Sequence, residues 1–366
     1  MAGLLQAACS PEAPLAPVAP PPIEASFVES SASPVPLTPL VPLVVPTYEG
    51  SGQAVHPDVV RFAAPWNGWE YWMALTPFPN GTGSFENPSL AVSHDGLRWQ
   101  VPAGVTNPLV KTPGKMGYNS DPDLSYDAAN GRLVLLYREV SATQNLIRST
   151  TSTDGVHWSK PVLMFQRPNH SMVSPTMTFG SAGTPVLWYV DAGPKKCAER
   201  TTHVMSQQGL VSTALAPATP ERGWSAPKGN LKQPGKNIWH MDATWIPERK
   251  EYWAVYVAYP GYNCFGQDLY FARSSDGSTW TTYAIPFLRH EESAWTANTL
   301  YRASVMYDAS RDAIQFFISG AANDKTWHLG YVDYRLPTFL ASLANGFPVL
   351  VPGSVRAPDL SSITEP

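Results

Sequence analysis

The chain is 366 residues long, with 15% charged residues, a formal net charge of −4 and no run of basic side chains. A surface that follows a phosphate backbone needs clustered Lys and Arg, so this composition excludes nucleic acid as an expected partner. No stretch reaches the roughly 20 apolar residues of a membrane-spanning helix. Aromatic residues make up 11%, which is typical of β-strands and of surfaces that stack sugars.

The first nine residues, MAGLLQAAC, resemble the end of a bacterial lipoprotein signal with Cys9 as the acylated residue. We therefore expect an extracytoplasmic protein, either secreted or tethered to the membrane through lipidated Cys9. Residues from Pro11 to Pro46 are rich in Pro, Ala, Ser and Val and nearly free of charge, which favours an extended chain. Residues 1–46 are predicted to be a signal remnant and a Pro-rich linker.

A short repeat, Ser-x-Asp-Gly-x-x-Trp, occurs three times beyond the linker, at Ser93–Trp99, Ser152–Trp158 and Ser274–Trp280. Repeats of this kind indicate an architecture built from similar units. Asp-Gly favours a tight hairpin turn between two strands, and the Trp can wedge between neighbouring units.

A second repeat marks the start of five units. Its copies are His56-Pro-Asp-Val-Val-Arg-Phe, Asp121-Pro-Asp-Leu-Ser-Tyr, Ser174-Pro-Thr-Met-Thr-Phe, His240-Met-Asp-Ala-Thr-Trp and Tyr301-Arg-Ala-Ser-Val-Met-Tyr. Each copy leads through a turn into a second apolar strand, namely Tyr71–Leu75, Leu133–Tyr137, Val186–Val190, Tyr252–Val257 and Ile314–Ile318. Five units of hairpin-connected strands predict an all-β fold, a five-bladed β-propeller over residues 47–355 with an extended N-terminal arm and a C-terminal tail, 356–366.

The fifth unit lacks the Asp-Gly hairpin and ends at Tyr334, so its outer strand must come from elsewhere. Residues 43–48 or 347–355 could supply it and close the ring. Cys197 and Cys264 fit no zinc spacing and both follow second strands, in blades three and four. A disulfide between them is expected, and two separate buried thiols are the alternative.

The first strand of each blade lines the central channel of a propeller, so equivalent positions converge at one mouth. The third position of the repeat reads Asp58, Asp123, Thr176, Asp242 and Ala303. The ends of second strands and one loop are expected to bring further polar groups to that mouth, namely Arg138, Glu139, Asp191, Glu86 and Asn87. Crowded carboxylates separate their pKa values, which suits acid–base chemistry. Alternatively, these Asp residues bind channel water, a calcium ion or neighbouring backbone.

His56 and His240 occupy the same repeat position and could ligate a metal, but contact with substrate or orientation of the Asp residues is favoured, and no catalytic metal is expected. Trp239 and Trp295 flank the predicted mouth. They could stack a sugar ring or belong to the core. Arg302 joins the predicted substrate contacts.

These features resemble the five-bladed propeller glycosidases, glycoside hydrolase family 43 and its relatives in families 32, 62, 117 and 130, over about Val55 to Tyr334. The resemblance implies a general base Asp at the start of blade one, a second Asp in blade two that orients substrate, and a Glu as general acid. Asp58 matches the base, and Asp123 or Asp121 matches the second Asp. Blade three has Ser174-Pro-Thr176 where the pattern of family 43 supplies the Glu. Glu139 is the expected substitute, with Glu86 and Asp191 as alternatives.

The sequence thus predicts an exported, monomeric glycoside hydrolase acting on a polysaccharide, for example one that contains furanosides, by direct displacement. The predicted catalytic residues are Asp58, Glu139 and Asp123. The predicted substrate-binding residues are His56, Glu86, Asp121, Arg138, Asp191, Trp239, His240, Asp242, Trp295 and Arg302. No cofactor is expected apart from a structural calcium ion that the channel could hold. The alternatives are a non-catalytic carbohydrate-binding propeller and a surface or phage decoration protein.

Overall fold

The computed structural model describes residues 36–346, apart from 115–116, 142–143, 169, 181–182, 194–202, 210–222 and 262–263. The segments 1–35 and 347–366 lie outside this part of the chain, so the signal, most of the linker and the tail remain predictions. Within the described residues no helix is both long and apolar enough to cross a membrane.

Strands dominate the described residues. In chain order they are β1 (Thr38–Leu43), β2 (Ala54–Trp66), β3 (Trp69–Pro77), β4 (Ser89–Ser93), β5 (Tyr118–Asp127), β6 (Arg132–Val140), β7 (Asn145–Ser152), β8 (Val162–Arg167), β9 (Val173–Phe179), β10 (Pro185–Asp191), β11 (His203–Gln208), β12 (Lys228–Leu231), β13 (Asn237–Ile246), β14 (Glu251–Tyr259), β15 (Asp268–Ser274), β16 (Thr281–Thr282), β17 (Thr299–Asp308), β18 (Ala313–Ala321) and β19 (Trp327–Arg335). One α-helix, α1 (Leu336–Ala344), follows the last strand. Short 3-10 turns cover Pro79–Gly81, Gly83–Phe85 and His290–Glu292.

The strands form five antiparallel sheets, β2-β3-β4, β5-β6-β7-β8, β9-β10-β11-β12, β13-β14-β15-β16 and β1-β19-β18-β17. These are the blades of the predicted five-bladed propeller, which is confirmed. Every predicted second strand lies within the observed one. Because blades pack face to face, a middle strand such as β6 is buried on both faces, which explains its uninterrupted apolar run Leu133–Tyr137.

Blade five is completed by the N-terminal strand β1, which pairs with β19 from Thr38 opposite Asp333 to Leu43 opposite Leu329. The expected outer strand, 43–48, is therefore wrong in position, and the alternative, 347–355, lies outside the described residues. Residues 38–43 also belong to the propeller and not to the linker. A strand at the edge of a sheet leaves half of its N–H groups outside the ladder, which is why Pro39 and Pro42 are tolerated there.

The three Ser-x-Asp-Gly-x-x-Trp segments follow the third strands of blades one, two and four. In the second copy the Asp154 carboxylate accepts hydrogen bonds from the backbone N–H groups of Val156 and His157, and the Ser152 hydroxyl accepts one from Gly155. The side chains of Ser and Asp thus organise a wider loop than the expected two-residue hairpin turn.

The Trp side chains of these repeated loops join neighbouring blades, as predicted. Trp99 lies edge-on to Phe317 of blade five at 5.6 Å, and Trp280 lies edge-on to Trp188 of blade three at 6.0 Å between ring centroids. Gly155 has φ +76°, and a Cβ added there would overlap the ring of Trp72 in blade one. A side chain at this glycine is therefore excluded both by the backbone and by the neighbouring blade.

The first strands β2, β5, β9, β13 and β17 line the channel and are joined from blade to blade by side-chain hydrogen bonds. The links are Asp58 to Asp123, Met177 N to Asp123 Oδ2 (3.0 Å), Thr176 Oγ1 to Asp242 Oδ1 (2.9 Å), Val305 N to Asp242 Oδ2 (3.1 Å) and Val59 N to Ser304 Oγ (3.1 Å). We call the side chains of Asp58, Asp123, Thr176, Asp242 and Ser304 the channel ring. Every pair of adjacent blades is linked through it, so the ring holds the first strands in one closed circle.

Arg302 supplies the charge inside this ring. Its fully buried guanidinium places Nη2 3.1 Å from Asp58 Oδ2 and 3.5 Å from Asp123 Oδ1. Burial raises the pKa of Asp58 well above its usual range and that of Asp123 to about 6, and the neighbouring Asp242 carboxylate adds to both shifts. Asp58 can therefore keep its proton and donate it to Asp123.

The fifth member of the ring differs from the expected Ala303. The register of β17 against β18 shifts between Leu300 and Ala303, and Ala303 packs into the apolar core. Arg302 and Ser304, on either side of it, face the channel instead. The other four first strands carry the same register shift, so the difference lies in the side chains: Ala303 has no polar atom, and Ser304 Oγ accepts the hydrogen bond from Val59 N instead.

We predict that Gly155→Ala lowers the free energy of unfolding by roughly 1–3 kcal/mol more than Gly131→Ala, measured by urea denaturation. Both glycines have positive φ, but a Cβ at Gly131 meets nothing within 4 Å. Comparing the two variants therefore separates the cost of placing Ala at a positive φ from the cost of the clash with Trp72. Equal losses in the two variants would show that the Trp72 contact does not fix the spacing of blades one and two.

The channel ring also predicts how stability depends on pH. An unfolded Asp loses its proton near pH 4, whereas folded Asp123 keeps it to about 6, so folding binds protons in this interval. Stability should fall as pH rises from about 4 through about 6, and Asp123→Asn should make this fall shallower by roughly 2–3 kcal/mol. Denaturation at each pH measures it, with Glu248→Gln as the control on an exposed loop. A steeper fall in Asp123→Asn would contradict the assignment.

Candidate functional site

A small polar cavity of about 70 Å³ lies at the end of the channel where the first strands begin. It is lined by His56, Glu86, Tyr118, Ser120, Asp121, Arg138, His170, Val173, Trp239, His240 and Tyr301. We call it the mouth cavity. His56 and Asp121 sit at strand bulges with φ of +55° and +51°, a left-handed conformation that is costly for residues with a Cβ. Such strain is typical of positions whose side chains must be aimed at a site.

Three side chains from three blades converge in the mouth cavity. Asp121 Oδ1 lies 3.2 Å from His56 Nε2 and 3.3 Å from His240 Nδ1. These three atoms are buried and have no hydrogen-bond partner in the described part of the chain. One ligand atom from each residue can be chosen so that all lie within 4.8 Å of one another. Since buried polar atoms without partners are costly, the convergence of three of them fits a bound cation.

Neighbouring groups hold two of these side chains in place. Thr76 Oγ1 lies 3.0 Å from His56 Nδ1, the ring nitrogen that points away from Asp121. Asp121 Oδ2, the other carboxylate oxygen, accepts a hydrogen bond of 2.7 Å from Arg138 Nη1. Outer hydrogen bonds of this type orient the side chains that ligate a metal and fix the tautomer of a histidine.

The charge states in the cavity also suit a divalent metal. Burial lowers the pKa of His56 well below its usual range and lowers the pKa of His240, so both imidazoles are neutral near pH 7. Burial opposes ionisation of Asp121, but its neighbours His56, His240 and Arg138 hold the pKa of that carboxyl well below its usual range. Two neutral imidazoles and one carboxylate are a common ligand set for zinc and similar metals. The arrangement therefore favours metal ligation over the substrate contact that the sequence suggested.

Glu86 is the acid–base group nearest to these three residues. It is buried in the wall of the mouth cavity, with Oε2 3.6 Å from His56 Nδ1. Burial raises the pKa of Glu86 well above its usual range, and the charge of Asp121 adds to the shift. A carboxylate with a raised pKa next to a cation site is a candidate general base.

The predicted aspartate cluster lies deeper than expected. Asp58, Asp123 and Asp242 belong to the channel ring with Arg302, whereas His56, Asp121 and His240 two residues earlier face the mouth cavity. Two residues along a strand move a side chain by about 6–7 Å while keeping it on the same face. The repeat was aligned correctly, but its mouth position is the first residue and not the third.

Four other predicted residues do not line the mouth cavity. Asn87 instead donates a hydrogen bond to Thr112 Oγ1 at 3.0 Å. Glu139 is held by Arg148 of β7, with Nε to Oε2 at 2.6 Å, because alternation along β6 turns it to the face opposite Arg138. Asp191 accepts a hydrogen bond from Gly193 N at 3.1 Å. Trp295 packs against Gly330 and lies 6.2 Å from the His328 ring. Of the remaining predicted contacts, Arg138 and Trp239 do line it.

Sequence reasoning missed five lining residues, Tyr118, Ser120, His170, Val173 and Tyr301. Tyr301 opens the fifth repeat, so the alignment itself contained the signal. Its ring centroid lies 4.2 Å from that of His240 and 5.2 Å from that of His56. His170 lies in a connection outside both repeats, so no sequence pattern indicated that it lines the mouth cavity.

Cys264 is disulfide-bonded, which agrees with one half of the expected pair. Cys197 lies outside the described residues, so the pairing itself stays a prediction.

No family model matches the chain. In sequence it is similar to the A type blood N-acetyl-α-D-galactosamine deacetylase of Flavonifractor plautii, with 26% identity over 306 residues that cover 71% of this chain and 38% of that protein. The chain thus spans well under half the length of the curated relative it matches.

Among solved structures, the chain is similar to an N-acetylgalactosamine deacetylase from F. plautii in complex with blood group B trisaccharide, with a TM-score of 0.72, 22% identity and coverage of 85% of this chain and 97% of that one. A thermostable family-43 glycoside hydrolase gives a TM-score of 0.54 at 14% identity, covering 76% and 88%. An endo-arabinase from Bacteroides thetaiotaomicron gives 0.54 at 11%, covering 80% and 96%. These likenesses show the fold: the chain is a five-bladed propeller of the kind that family 43 glycosidases share with the F. plautii deacetylase.

Proposed function

We propose that the protein is a metal-dependent hydrolase that removes the N-acetyl group from an acetamido sugar. The observation that carries the proposal is the convergence of three buried atoms: His56 Nε2 and His240 Nδ1 both lie within 3.3 Å of Asp121 Oδ1, yet none of the three makes a well-formed hydrogen bond in the described residues. The similarity to a protein named as an N-acetyl-α-D-galactosamine deacetylase supports the substrate class. Carbohydrate is therefore the proposed partner, as expected from the sequence.

In this proposal His56, Asp121 and His240 hold a divalent cation, which would polarise the acetyl oxygen when bound. Glu86 accepts a proton from the water that attacks the acetyl carbon. The C–N bond then breaks, and Glu86 returns that proton to the leaving nitrogen, so that the products are acetate and an amino sugar. Arg138 keeps the Asp121 carboxylate oriented and ionised throughout.

The size of the mouth cavity agrees with this reaction. A cavity of about 70 Å³ is small, and an acetyl group is the smallest part of the substrate that must enter it. A pyranose ring would have to remain outside, above Trp239 and Tyr301. Hydrolysis of an amide on the ring edge needs only that edge to enter the site.

Glycoside hydrolysis is the second candidate, supported by the fold of family 43 enzymes. Its expected base, Asp58, is ion-paired with Arg302, and its expected acid, Glu139, is ion-paired with Arg148. A non-catalytic sugar-binding propeller would use the same mouth without the proton transfers. We also keep four expectations from the sequence as proposals. They are export, a lipid anchor at Cys9, a monomeric state and a calcium ion in the channel.

The metal is tested by titrating EDTA-treated protein with Zn²⁺ and with Ca²⁺ in a calorimeter. We expect one tight Zn²⁺ site, weak Ca²⁺ binding because imidazole suits softer cations, and a loss of Zn²⁺ affinity of at least about 100-fold in His240→Ala. His290→Ala is the matched control, because His290 also pairs with a carboxylate, Asp268, at 2.8 Å but lies outside the mouth cavity. Zn²⁺ binding that survives His240→Ala would refute the assigned ligands.

The reaction is tested by measuring acetate and amine release from methyl N-acetyl-α-D-galactosaminide, and sugar release from aryl arabinofuranosides and xylosides. We expect deacetylation only. Glu86→Gln should slow it about 10²–10⁴-fold.

Glu139→Gln is the matched control for this assay and should keep the wild-type rate. Release of sugar without release of acetate, abolished by Glu139→Gln or Asp58→Asn, would replace deacetylation by glycoside hydrolysis. Sugar binding with neither product would leave the non-catalytic propeller as the function.

A further inference from the structure

A second cavity, of about 510 Å³, lies at the end of the channel opposite the mouth cavity. It begins at the channel ring and is walled by the residues that end the first strands, whereas the mouth cavity is walled by those that begin them. We call it the lower cavity. Its volume is in the range of small-molecule sites, and it has no part in the proposed deacetylation.

Aromatic side chains surround the lower cavity. Tyr126, Phe179, Trp245 and Tyr307 line it, and each is the residue that closes one copy of the second sequence repeat. All four are only partly buried, although their rings also pack on neighbouring strands, as Tyr307 does on Trp253. In blades two and four, one copy of the repeat thus delivers a polar residue to the mouth, another to the channel ring and an aromatic side chain to the lower cavity.

The charge around the lower cavity is negative. Asp58, Asp123 and Asp242 border it; because Asp58 keeps its proton, Asp123 and Asp242 are the carboxyls of the channel ring that can carry negative charge, and Arg302 is the counter-charge beside them. Two other charged lining residues are already paired, Asp127 with Arg132 at 3.0 Å and Arg61 with Asp308 at 3.3 Å. Glu248 lines the rim and is exposed. A cleft with one sign of charge and apolar walls concentrates ions of the opposite sign.

Ser125 provides a polar contact that the protein itself does not use. Its side chain is 7% exposed and lines the lower cavity, and Ser125 Oγ has no hydrogen-bond partner in the described residues. A buried hydroxyl without a partner is costly, and it can accept a hydrogen bond from an N–H group of a ligand.

We propose that the lower cavity binds a small organic cation, a protonated amine carried on a body the size of a sugar ring. The ammonium group lies between Ser125 Oγ and the carboxylates of the channel ring, and the body packs against Trp245 and its aromatic neighbours. Ammonium groups are attracted both by carboxylates and by the faces of Trp and Tyr rings.

A metal ion is a poorer fit to the same carboxylates. Asp123 Oδ2 accepts a hydrogen bond from Met177 N, and both oxygens of Asp242 accept hydrogen bonds, from Thr176 Oγ1 and from Val305 N. A divalent ion would have to displace these bonds and sit beside the Arg302 guanidinium. An ammonium ion in the cavity needs only the field of the carboxylates and the free hydroxyl.

The test is calorimetric titration of the full chain with methyl β-D-glucosaminide and with methyl β-D-glucoside, its neutral analogue. We expect saturable binding of the amine that is at least about tenfold tighter than that of the glucoside. Trp245→Ala should weaken amine binding about tenfold. Ser125→Ala should weaken it severalfold, and this change is too small to threaten folding. Trp69→Ala is the control, because Trp69 stacks on His94 outside the lower cavity.

His240→Ala separates the two sites, since it removes a mouth residue and should leave amine binding unchanged. Loss of amine binding in His240→Ala would place the amine at the mouth and overturn the proposal. Equal binding of amine and glucoside, no binding of the amine, or a response to Ca²⁺ alone would overturn it as well. Deacetylation is assayed separately, so failure of one proposal is distinguishable from failure of the other.

Discussion

The closed circle of hydrogen bonds in the channel ring is the constraint on which the rest of the structure depends. Blades of a propeller contact mainly their neighbours, so an open array could splay apart like other repeat structures. Here Asp123, Asp242 and Ser304 reach the backbone or side chains of the next blade, and buried Arg302 keeps the carboxylates from repelling one another. Because these bonds fix the spacing of the first strands, they also fix the distances between His56, Asp121 and His240 one layer above.

The channel ring and the mouth layer lie two residues apart along the first strands. The channel ring has a structural role, and the mouth layer has a chemical one. Side chains of the channel ring have their hydrogen-bonding capacity used by the protein, which is what a cross-link requires. In the mouth layer, the atoms of His56, Asp121 and His240 that converge make no well-formed hydrogen bond in the described residues, which is costly unless something binds there. The same sequence repeat thus supplies a stabilising layer and a binding layer.

Much of the fold could be predicted from the sequence because its signals are local and repeated. Five strand starts, five apolar second strands and the Trp side chains between blades follow from spacing alone. The depth of Asp58 could not be, because the repeat does not show which of two positions on the same face of a strand reaches the mouth. Nor could the replacement of Ala303 by Ser304 in the channel ring, because it departs from the repeat by one residue. Glu139 was misplaced for a related reason: one residue along β6 separates the face of the mouth from the face of Arg148. No local pattern in the sequence indicates that β1 pairs with β19.

That pairing has a consequence for how the protein is made. Thr38 and Asp333 are joined by a hydrogen bond across 295 residues, so the strand synthesised first finds its partner only when nearly the whole ring has emerged. Closing a loop of this length delays the contact, and the edge of blade five stays open until then. During synthesis β1 therefore waits for its partner longer than any other described strand does. The prolines at positions 39 and 42 of β1 make it a poor template for other strands in the interval.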